Sequence, residues 1–355
     1  MADLPNPIAS PLPSGLPPEL PDTWPPIARL LLLVGTCTLG AFAGMALAGA
    51  VVAAVWGVPL AGLGPLISGG AFHPHQRAIA LTVQGLLHFG GFTLAPLLLL
   101  AVTLPNHSFG EWLRAQSRLT VGGLLAGAFL TLVSLPLISA TIEWNAGLHL
   151  PASLAGLDAW MRAQEEVARR LTTQITQMDS IAELLVCVVA IALVPAVGEE
   201  LVFRGIVQPT LTRWTGGRTH VGIWLTAIVF SAIHVQFLGF VPRLLLGAGF
   251  GYLYQWSGRL AVPIAAHFTN NALQVLVLYA VQRGALAGYD PDSTAALPWP
   301  WVVASVGVTA ALLWVLHSRR PAGAPDIAAV SANEAPPVAS LVSPLDSPSS
   351  PVPDA

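Results

Sequence analysis

Charge is scarce in this chain, and lysine is missing from it altogether. Only 9% of the 355 residues are charged, and all fifteen basic residues are arginine. Soluble proteins carry about 25% charged residues, so this composition excludes an ordinary soluble domain. The formal net charge is only -3 and no basic stripe runs along the chain, so we expect no nucleic-acid partner.

Cysteine is nearly absent as well. The two cysteines, Cys37 and Cys187, both lie inside apolar runs, where a thiol behaves as a small buried hydrophobe. They cannot build a disulfide framework, and no Cys/His spacing typical of a metal site accompanies them. The motif His-Glu-x-x-His is missing too, so the sequence carries no direct signature of a zinc protease of that kind.

Apolar residues, by contrast, make up 54% of the chain. A helix needs about 20 of them to cross the hydrocarbon core of a bilayer. Eight runs meet or approach this length, and the sixth is short enough to indicate a tilted or partly buried segment. They cover residues 27–56, 78–104, 119–142, 180–206, 220–240, 244–258, 260–282 and 300–316. We therefore predict an all-α fold, a polytopic membrane bundle of about eight transmembrane helices.

The two ends of the chain differ from its middle. Residues 1–26 are rich in proline, and no positive region precedes the first apolar run as it would in a signal peptide, so we predict a disordered cytosolic tail. Residues 318–355 are predicted to be a second disordered tail, and residues 27–317 the transmembrane domain. Arginines in the short loops favour the side of the termini by eight to three, which predicts that both termini are cytosolic.

The long loop between the third and fourth apolar runs has a regular pattern of apolar and charged residues. Apolar residues recur there at helical spacing, with charged residues between them. Glu165 and Glu166 each stand four residues before an arginine, Arg169 and Arg170, an arrangement that favours salt bridges on a helix. We predict an outer amphipathic helix over residues 152–178 that lies on the membrane or caps the bundle.

The fourth apolar run ends in two adjacent carboxylates and an arginine, which are Glu199, Glu200 and Arg204. Each charged side chain near a bilayer centre costs about 2.5–3.5 kcal/mol, so such groups pair with one another or line a polar cavity. On a helix, Glu200 and Arg204 can form an ion pair on one face. Glu199 points about 100° away, which leaves its carboxylate available for chemistry.

Later runs add histidine and asparagine at helical spacing. Phe230 is followed by His234 in the fifth run, and His267 by Asn271 in the seventh. Polar groups from separate spans lower their burial cost by facing one shared cavity. A carboxylate and a neutral imidazole can hold a water and remove its proton, while a second imidazole and an amide can stabilise an oxyanion. This set suits hydrolysis of an amide bond, and no Ser or Cys is placed with an obvious base.

The same residues suit other functions. Glu199, His234 and His267 could bind Zn²⁺ together, since one carboxylate and two imidazoles form a known catalytic set. Glu199 and His234 could also serve as a proton relay in a transporter, although we find no internal repeat of the kind many transporters have. A non-catalytic membrane scaffold that binds a peptide in the same cavity is a third alternative.

At these positions the chain resembles the CPBP family of intramembrane proteases, also known as the Abi or type II CAAX prenyl endopeptidase group. The family's motifs Glu-Glu-x-x-x-Arg, Phe-x-x-x-His and His-x-x-x-Asn occur here in order, within residues 180–283. The resemblance implies that Glu199 activates a water with help from His234. It also implies that His267 and Asn271 stabilise the oxyanion.

The resemblance implies supporting roles for Glu200 and Arg204. It further implies an endopeptidase in a bacterial cytoplasmic membrane, with membrane lipid and a membrane-associated or prenylated peptide or protein as its partners. Some members are linked to bacteriocin self-immunity, which is the family's version of the scaffold alternative. Members have been described both with and without a required metal. Because one carboxylate, two imidazoles and an amide already fill the needed roles, we expect no required cofactor and keep zinc as the alternative.

Overall fold

The computed structural model describes residues 25–67, 73–104, 108–117, 119–290 and 293–318, and in these residues it is helical throughout, without a strand. The predicted tails, 1–26 and 318–355, lie outside the described residues except at their inner ends. The helices are α1 Pro26–Trp56, α2 Leu60–Ile67, α3 Gln76–His88, α4 Ala95–Thr103, α5 Ser108–Gln116, α6 Val121–Ala146, α7 Ala155–Ile175, α8 Ile181–Cys187, α9 Val194–Val202, α10 Gln208–Trp214, α11 Thr219–Ala232, α12 Phe240–Ser257, α13 Ala261–Gln282 and α14 Trp299–Ser318.

The predicted polytopic bundle is confirmed, with one correction to the count. Seven helices in the described residues are long and apolar enough to cross a membrane. The predicted fifth span, 220–240, is the exception, because its helix α11 has only 14 residues and ends at Ala232. The predicted short sixth span is instead an 18-residue helix, α12. The break therefore falls in residues 233–239, which we call the His234 loop.

Two of the membrane-spanning helices are assembled from α-helical pieces joined by wider π-helical turns. These turns are Phe89–Leu94 between α3 and α4, Val188–Leu193 between α8 and α9, and Phe203–Val207 between α9 and α10. Each is followed two residues after its end by a proline, namely Pro96, Pro195 and Pro209. Proline lacks an N–H and its ring clashes with the carbonyl four residues earlier, and the wider turn lets the helix continue past it.

Small residues allow close approach between α1 and the helix that contains α3. A Cβ on Gly40 would collide with the backbone carbonyl of Gly90, and a Cβ on Gly44 with that of Leu86. Gly40 and Gly44 form a small-xxx-small pattern, which lets membrane helices pack backbone to backbone. This contact places the second span firmly against the first.

Helix α9 lies at the centre of the bundle. It contacts the π turn after α3 and also α13, while α13 packs against α6 and α11 packs against α12. Its buried apolar side chains join a core cluster with residues of α4, α5 and α11. Many large apolar side chains on the outer helices face outward, such as Val102, which is 83% exposed. An apolar exterior of this extent is expected for helices surrounded by lipid.

Helix α7 lies over the His234 loop. The ring centroids of Trp160 and Phe237 are 5.4 Å apart. Both Arg169 and Arg170 donate hydrogen bonds to the carboxylate of Glu166, at 2.8 and 2.6 Å, so Glu166 takes part in two salt bridges where one was predicted. Neighbouring charges and hydrogen bonds hold the pKa of Glu166 at about 2, the side-chain bond from Arg169 being the largest cause.

Glu165 turns the other way. Its carboxylate accepts a hydrogen bond from the backbone N–H of Leu238 in the His234 loop and lies near Arg243, and burial is the main cause that raises its pKa. The two adjacent glutamates of α7 therefore occupy opposite environments, one at the surface and one against the loop.

Candidate active site

The two carboxylates of α9 are held in different ways. The predicted ion pair is confirmed, since Arg204 Nη1 lies 2.9 Å from Glu200 Oε1 and both side chains are fully buried. Arg204 Nη2 also donates to the backbone carbonyl of Gly247 at 2.6 Å. A buried charge is tolerated only when it is paired and hydrogen-bonded, and this pair meets both conditions.

Two aromatic rings enclose the arginine. The guanidinium carbon of Arg204 lies 5.0 Å from the ring centroid of Phe230 and 5.6 Å from that of Phe250. A guanidinium near the face of a desolvated aromatic ring gains about 2 kcal/mol. The phenylalanine of the second motif therefore stabilises the arginine of the first, a contact between spans that the sequence did not reveal.

His267 connects the two carboxylates. Its Nδ1 lies 2.8 Å from Glu200 Oε1, and its Nε2 lies 3.9 Å from Glu199 Oε2. The ionised Glu200 can only accept hydrogen bonds, so Nδ1 of His267 carries a hydrogen. The ring stacks on Phe250 with centroids 5.1 Å apart. Glu200 thus orients the imidazole, and Nε2 faces Glu199.

Glu199 is buried, at 7% exposure, but it has no ion pair with an arginine at hydrogen-bonding distance among the described residues. Its Oε2 lacks a hydrogen-bond partner in the described part of the chain. Each of its oxygens faces an imidazole instead, because Oε1 lies 3.7 Å from Nε2 of His88 and Oε2 lies opposite His267. A buried carboxylate surrounded by imidazoles and without a salt bridge has the surroundings expected of a reacting group.

The helical spacing predicted that His234 lies within a helix. It lies instead in the His234 loop, just beyond the end of α11. Its Nδ1 donates to the backbone carbonyl of Phe230 at 2.8 Å, which leaves Nε2 as an acceptor in the neutral ring. The rings of His234 and His267 both contact Phe230 in T-shaped geometry, with centroids 5.2 and 5.9 Å away. Phe230 is therefore a common neighbour of the two imidazoles.

The backbone beside His234 is strained. Val235 has a φ of 54°, and a β-branched residue in this left-handed region is an outlier that costs about 1–3 kcal/mol. Side chains from neighbouring helices maintain the loop. Asn145 of α6 donates to the carbonyl of Phe237 at 3.0 Å and accepts from the N–H of Val241 at 2.7 Å. Arg243 donates to the side chain of Gln236 at 2.7 Å.

Asn271 lies one helical turn after His267 on α13. Its side-chain oxygen accepts a hydrogen bond from Asn270 at 3.1 Å, which leaves its amide N–H groups as donors. The predicted role of Asn271 at an oxyanion stays a prediction, as do the catalytic roles of the other motif residues.

Sequence reasoning gave no role to three side chains of this cluster. Phe230 and Phe250 have no chemistry of their own, and only their position against Arg204 and the imidazoles reveals them. His88 is visible in the sequence as a histidine inside the second apolar run, but nothing in its spacing connects it to Glu199, which is 111 positions away.

The structure gives no support to zinc, the alternative cofactor. Among the residues that the structure describes, no group of three or more His, Cys, Asp or Glu side chains is arranged to hold a metal ion. A surface cavity of about 300 Å³ at the end of α7 includes none of the cluster in its lining, so we do not assign it to the site.

Comparison with known proteins supports the resemblance over the same segment. Residues 181–273 match the family model described as type II CAAX prenyl endopeptidase Rce1-like. This range contains all three motifs, so the predicted resemblance is confirmed there, over about a quarter of the chain. An uncharacterized Bacillus subtilis (strain 168) protein, YpbD, is 31% identical over 90 residues, which are 24% of this chain and 42% of that protein. The match therefore spans less than half of that relative, and no solved structure matches the chain.

Proposed function

We propose that this protein is an intramembrane endopeptidase in which Glu199 acts as the general base that activates a water. The observation that carries the proposal is the contrast between two adjacent carboxylates. Glu200 is neutralised by Arg204 at 2.9 Å, whereas Glu199 faces imidazole nitrogens at 3.7 and 3.9 Å. Only Glu199 is therefore placed to accept a proton from a reacting water.

In the proposed reaction, a water between Glu199 and His234 loses a proton to the Glu199 carboxylate while its oxygen attacks the carbonyl carbon of the substrate. Nε2 of His234 accepts the second hydrogen bond of that water, because its Nδ1 donates to Phe230. The proton held by Glu199 then passes to the amide nitrogen as the carbon–nitrogen bond breaks. The products are a carboxylic acid and an amine, and no acyl-enzyme forms.

The oxyanion formed by this attack needs hydrogen-bond donors. The side-chain amide of Asn271 supplies N–H groups, since its oxygen is already engaged by Asn270. His267 becomes a donor at Nε2 only as a cation, because its Nδ1 hydrogen is directed at Glu200. The Glu200 carboxylate orients the ring through Nδ1, so it supports catalysis through His267 without contacting the substrate.

The substrate in this proposal is a peptide or protein held at the membrane, of the prenylated type that the description of the matching family model names. Membrane lipid would be the second partner, through the apolar exterior of the bundle. The carboxylate, imidazole and amide groups of the cluster fill the base, assisting and oxyanion roles, so we also propose that no metal is required. Activity should survive a chelator, and stoichiometric zinc whose removal abolishes cleavage and whose return restores it would overturn this part.

The test uses the full chain in liposomes with an internally quenched farnesylated peptide and a matched unprenylated peptide. We expect Glu199→Gln to lower kcat by at least about 10³-fold, since general-base catalysis contributes about 10²–10⁴-fold. Glu143→Gln, a change of an exposed glutamate at the end of α6, is the control and should cleave like the wild type. Equal cleavage by Glu199→Gln and wild type would refute the assignment of the base and favour the scaffold alternative.

A further inference from the structure

We propose that His88 is a positioning residue of this site, which holds the Glu199 carboxylate in the orientation that the reaction needs. The proposal rests on the proposed function, but it concerns a residue outside residues 181–273, the segment that the family model matches. His88 is the last residue of α3, so it reaches the site from the N-terminal part of the bundle.

The first argument for this proposal is that His88 and Glu199 lie close together and that both side chains are largely buried. His88 Nε2 lies 3.7 Å from Glu199 Oε1, and the two side chains are 16% and 10% exposed. Nε2 has no hydrogen-bond partner among the described residues. Buried polar atoms are rarely left without a partner, and 3.7 Å is only slightly longer than a hydrogen bond. Glu199 is the group toward which this nitrogen is directed.

Close packing of the backbone of α9 against the π turn after α3 brings His88 next to Glu199. A Cβ on Gly198 would lie 2.8 Å from Thr93 Oγ1 and 3.0 Å from Phe92 Cβ, so α9 meets the π turn after α3 directly beside Glu199. The ring of His88 stacks on Phe92 with centroids 4.6 Å apart and planes inclined by 12°. The imidazole is thus fixed by its own helix and placed against Glu199 by glycine packing.

The two oxygens of Glu199 are bracketed by separate imidazoles. His88 faces Oε1 and His267 faces Oε2, at 3.7 and 3.9 Å. His267 directs its Nδ1 hydrogen at Glu200, so Nε2 of His88 is the group in this proposal that restrains rotation of the Glu199 carboxylate. A general base that is oriented by a third group is the arrangement on which water and nucleophile activation commonly depend. With Oε1 directed at His88, Oε2 is the oxygen that we expect to accept the proton of the attacking water.

The test separates the nitrogen of His88 from its ring. His88→Phe keeps the stacking on Phe92 but removes Nε2, and His88→Gln places an amide near the position of Nε2. We expect His88→Phe to lower kcat by about 10- to 100-fold with KM within about twofold, because small misplacement of a reacting group costs up to about 10²-fold. His88→Gln should recover most of the loss. His220→Phe, a change of a histidine that contacts Tyr252, should cleave like the wild type.

A double-variant cycle shows whether His88 acts through Glu199. Glu199→Asp withdraws the carboxylate from His88, so adding His88→Phe to Glu199→Asp should cost much less than it does in the wild type. Wild-type kcat in a folded His88→Phe protein, equal losses in His88→Phe and His88→Gln, or full additivity in the cycle would each overturn the proposal. Failure of the proposed function itself is distinguished by Glu199→Gln, which would then remain active whatever the His88 variants do.

Discussion

Two neighbouring glutamates with identical chemistry have different surroundings because a helix rotates by about 100° per residue. That rotation directs Glu200 toward Arg204 and His267, and Glu199 toward the nitrogens of His88 and His267. The first carboxylate is neutralised and becomes part of the framework. Among the described residues the second has no arginine at salt-bridge distance, a condition that the proposed role as general base requires.

Replacing Arg204 tests how much its buried ion pair with Glu200 contributes to the free energy of unfolding. Arg204→Leu leaves the buried Glu200 without its cation and the carbonyl of Gly247 without its donor. We expect a loss of about 3–5 kcal/mol, the cost of removing one partner of a buried ion pair, measured by chemical unfolding in mixed micelles. Arg170→Leu, on the exposed face of α7, should change stability too little to resolve. Equal stability of Arg204→Leu and wild type would contradict the role of this pair.

Helices in this protein are adjusted locally so that the site can form. The π turn after His88 and the π turns on both sides of α9 accommodate the prolines that follow them. The helix that carries Glu199 also needs a glycine, because Gly198 is where its backbone meets the turn after α3. Close packing of two elements therefore sets the distance between His88 and Glu199.

Gly198→Ala should disturb activity more than stability. The added methyl group would meet Thr93 and Phe92 at 2.8–3.0 Å, which pushes the two helices apart by a few tenths of an ångström. We expect kcat to fall several-fold, measured on the farnesylated peptide. Gly205→Ala is the matched control on the same span, since its Cβ finds only ordinary contacts at 3.6 Å and beyond. Its activity should be that of the wild type, and similar activities for the two variants would contradict the expectation.

Two adjacent residues of α7, Glu165 and Glu166, are expected to affect the thermal stability of the protein in opposite directions. The pKa of Glu166 is lowered to about 2, so its contribution to stability is present above the unfolded value near 4.5 and is lost as the pH falls toward 2. Burial raises the pKa of Glu165, so its ionised form destabilises the fold at neutral pH. At pH 7, Glu166→Gln should lower Tm and Glu165→Gln should raise it, each by a few degrees at most.

The pH dependence checks the same prediction. The difference in Tm between Glu166→Gln and the wild type should shrink as the pH falls from about 4.5 toward 2. Thermal unfolding in detergent across that range is the measurement. Shifts of the same sign for both variants at pH 7 would show that the two carboxylates do not differ in environment.

Across the whole molecule, the site depends on regions that the matched segment does not include. His88 comes from the second span, and Asn145 of α6 maintains the loop that carries His234. Trp160 and Glu165 of α7 cover the same loop. The N-terminal half of the chain is therefore part of the catalytic unit in the proposed function.

Asn145→Ala tests this dependence. The variant loses hydrogen bonds of 3.0 and 2.7 Å to Phe237 and Val241, and the strained backbone at Val235 loses part of its support. We expect about 1–3 kcal/mol of destabilisation and a drop in kcat of about tenfold, from unfolding in mixed micelles and peptide cleavage. Thr141→Val is the control, because its hydroxyl bonds only within α6. A fully active Asn145→Ala protein would show that the loop keeps its shape unaided.

Sequence alone was sufficient for the class of fold, the approximate spans and the ion pair between Glu200 and Arg204. Each of these follows from apolar run length or helical spacing, which act over a few neighbouring residues. The end of α11 was mispredicted because the apolar run continues through the His234 loop, and hydropathy does not register the backbone break around Val235, which has a φ of 54°.

Only the tertiary structure decided which groups meet Glu199. His88 and Phe250 approach the site through helix packing across long separations in the chain, and the contact between Gly198 and the turn after α3 depends on matching surfaces of two spans. Periodicity describes one helix at a time. The relative placement of helices depends on steric fit between distant residues, and it is this fit that brings an imidazole to each oxygen of Glu199.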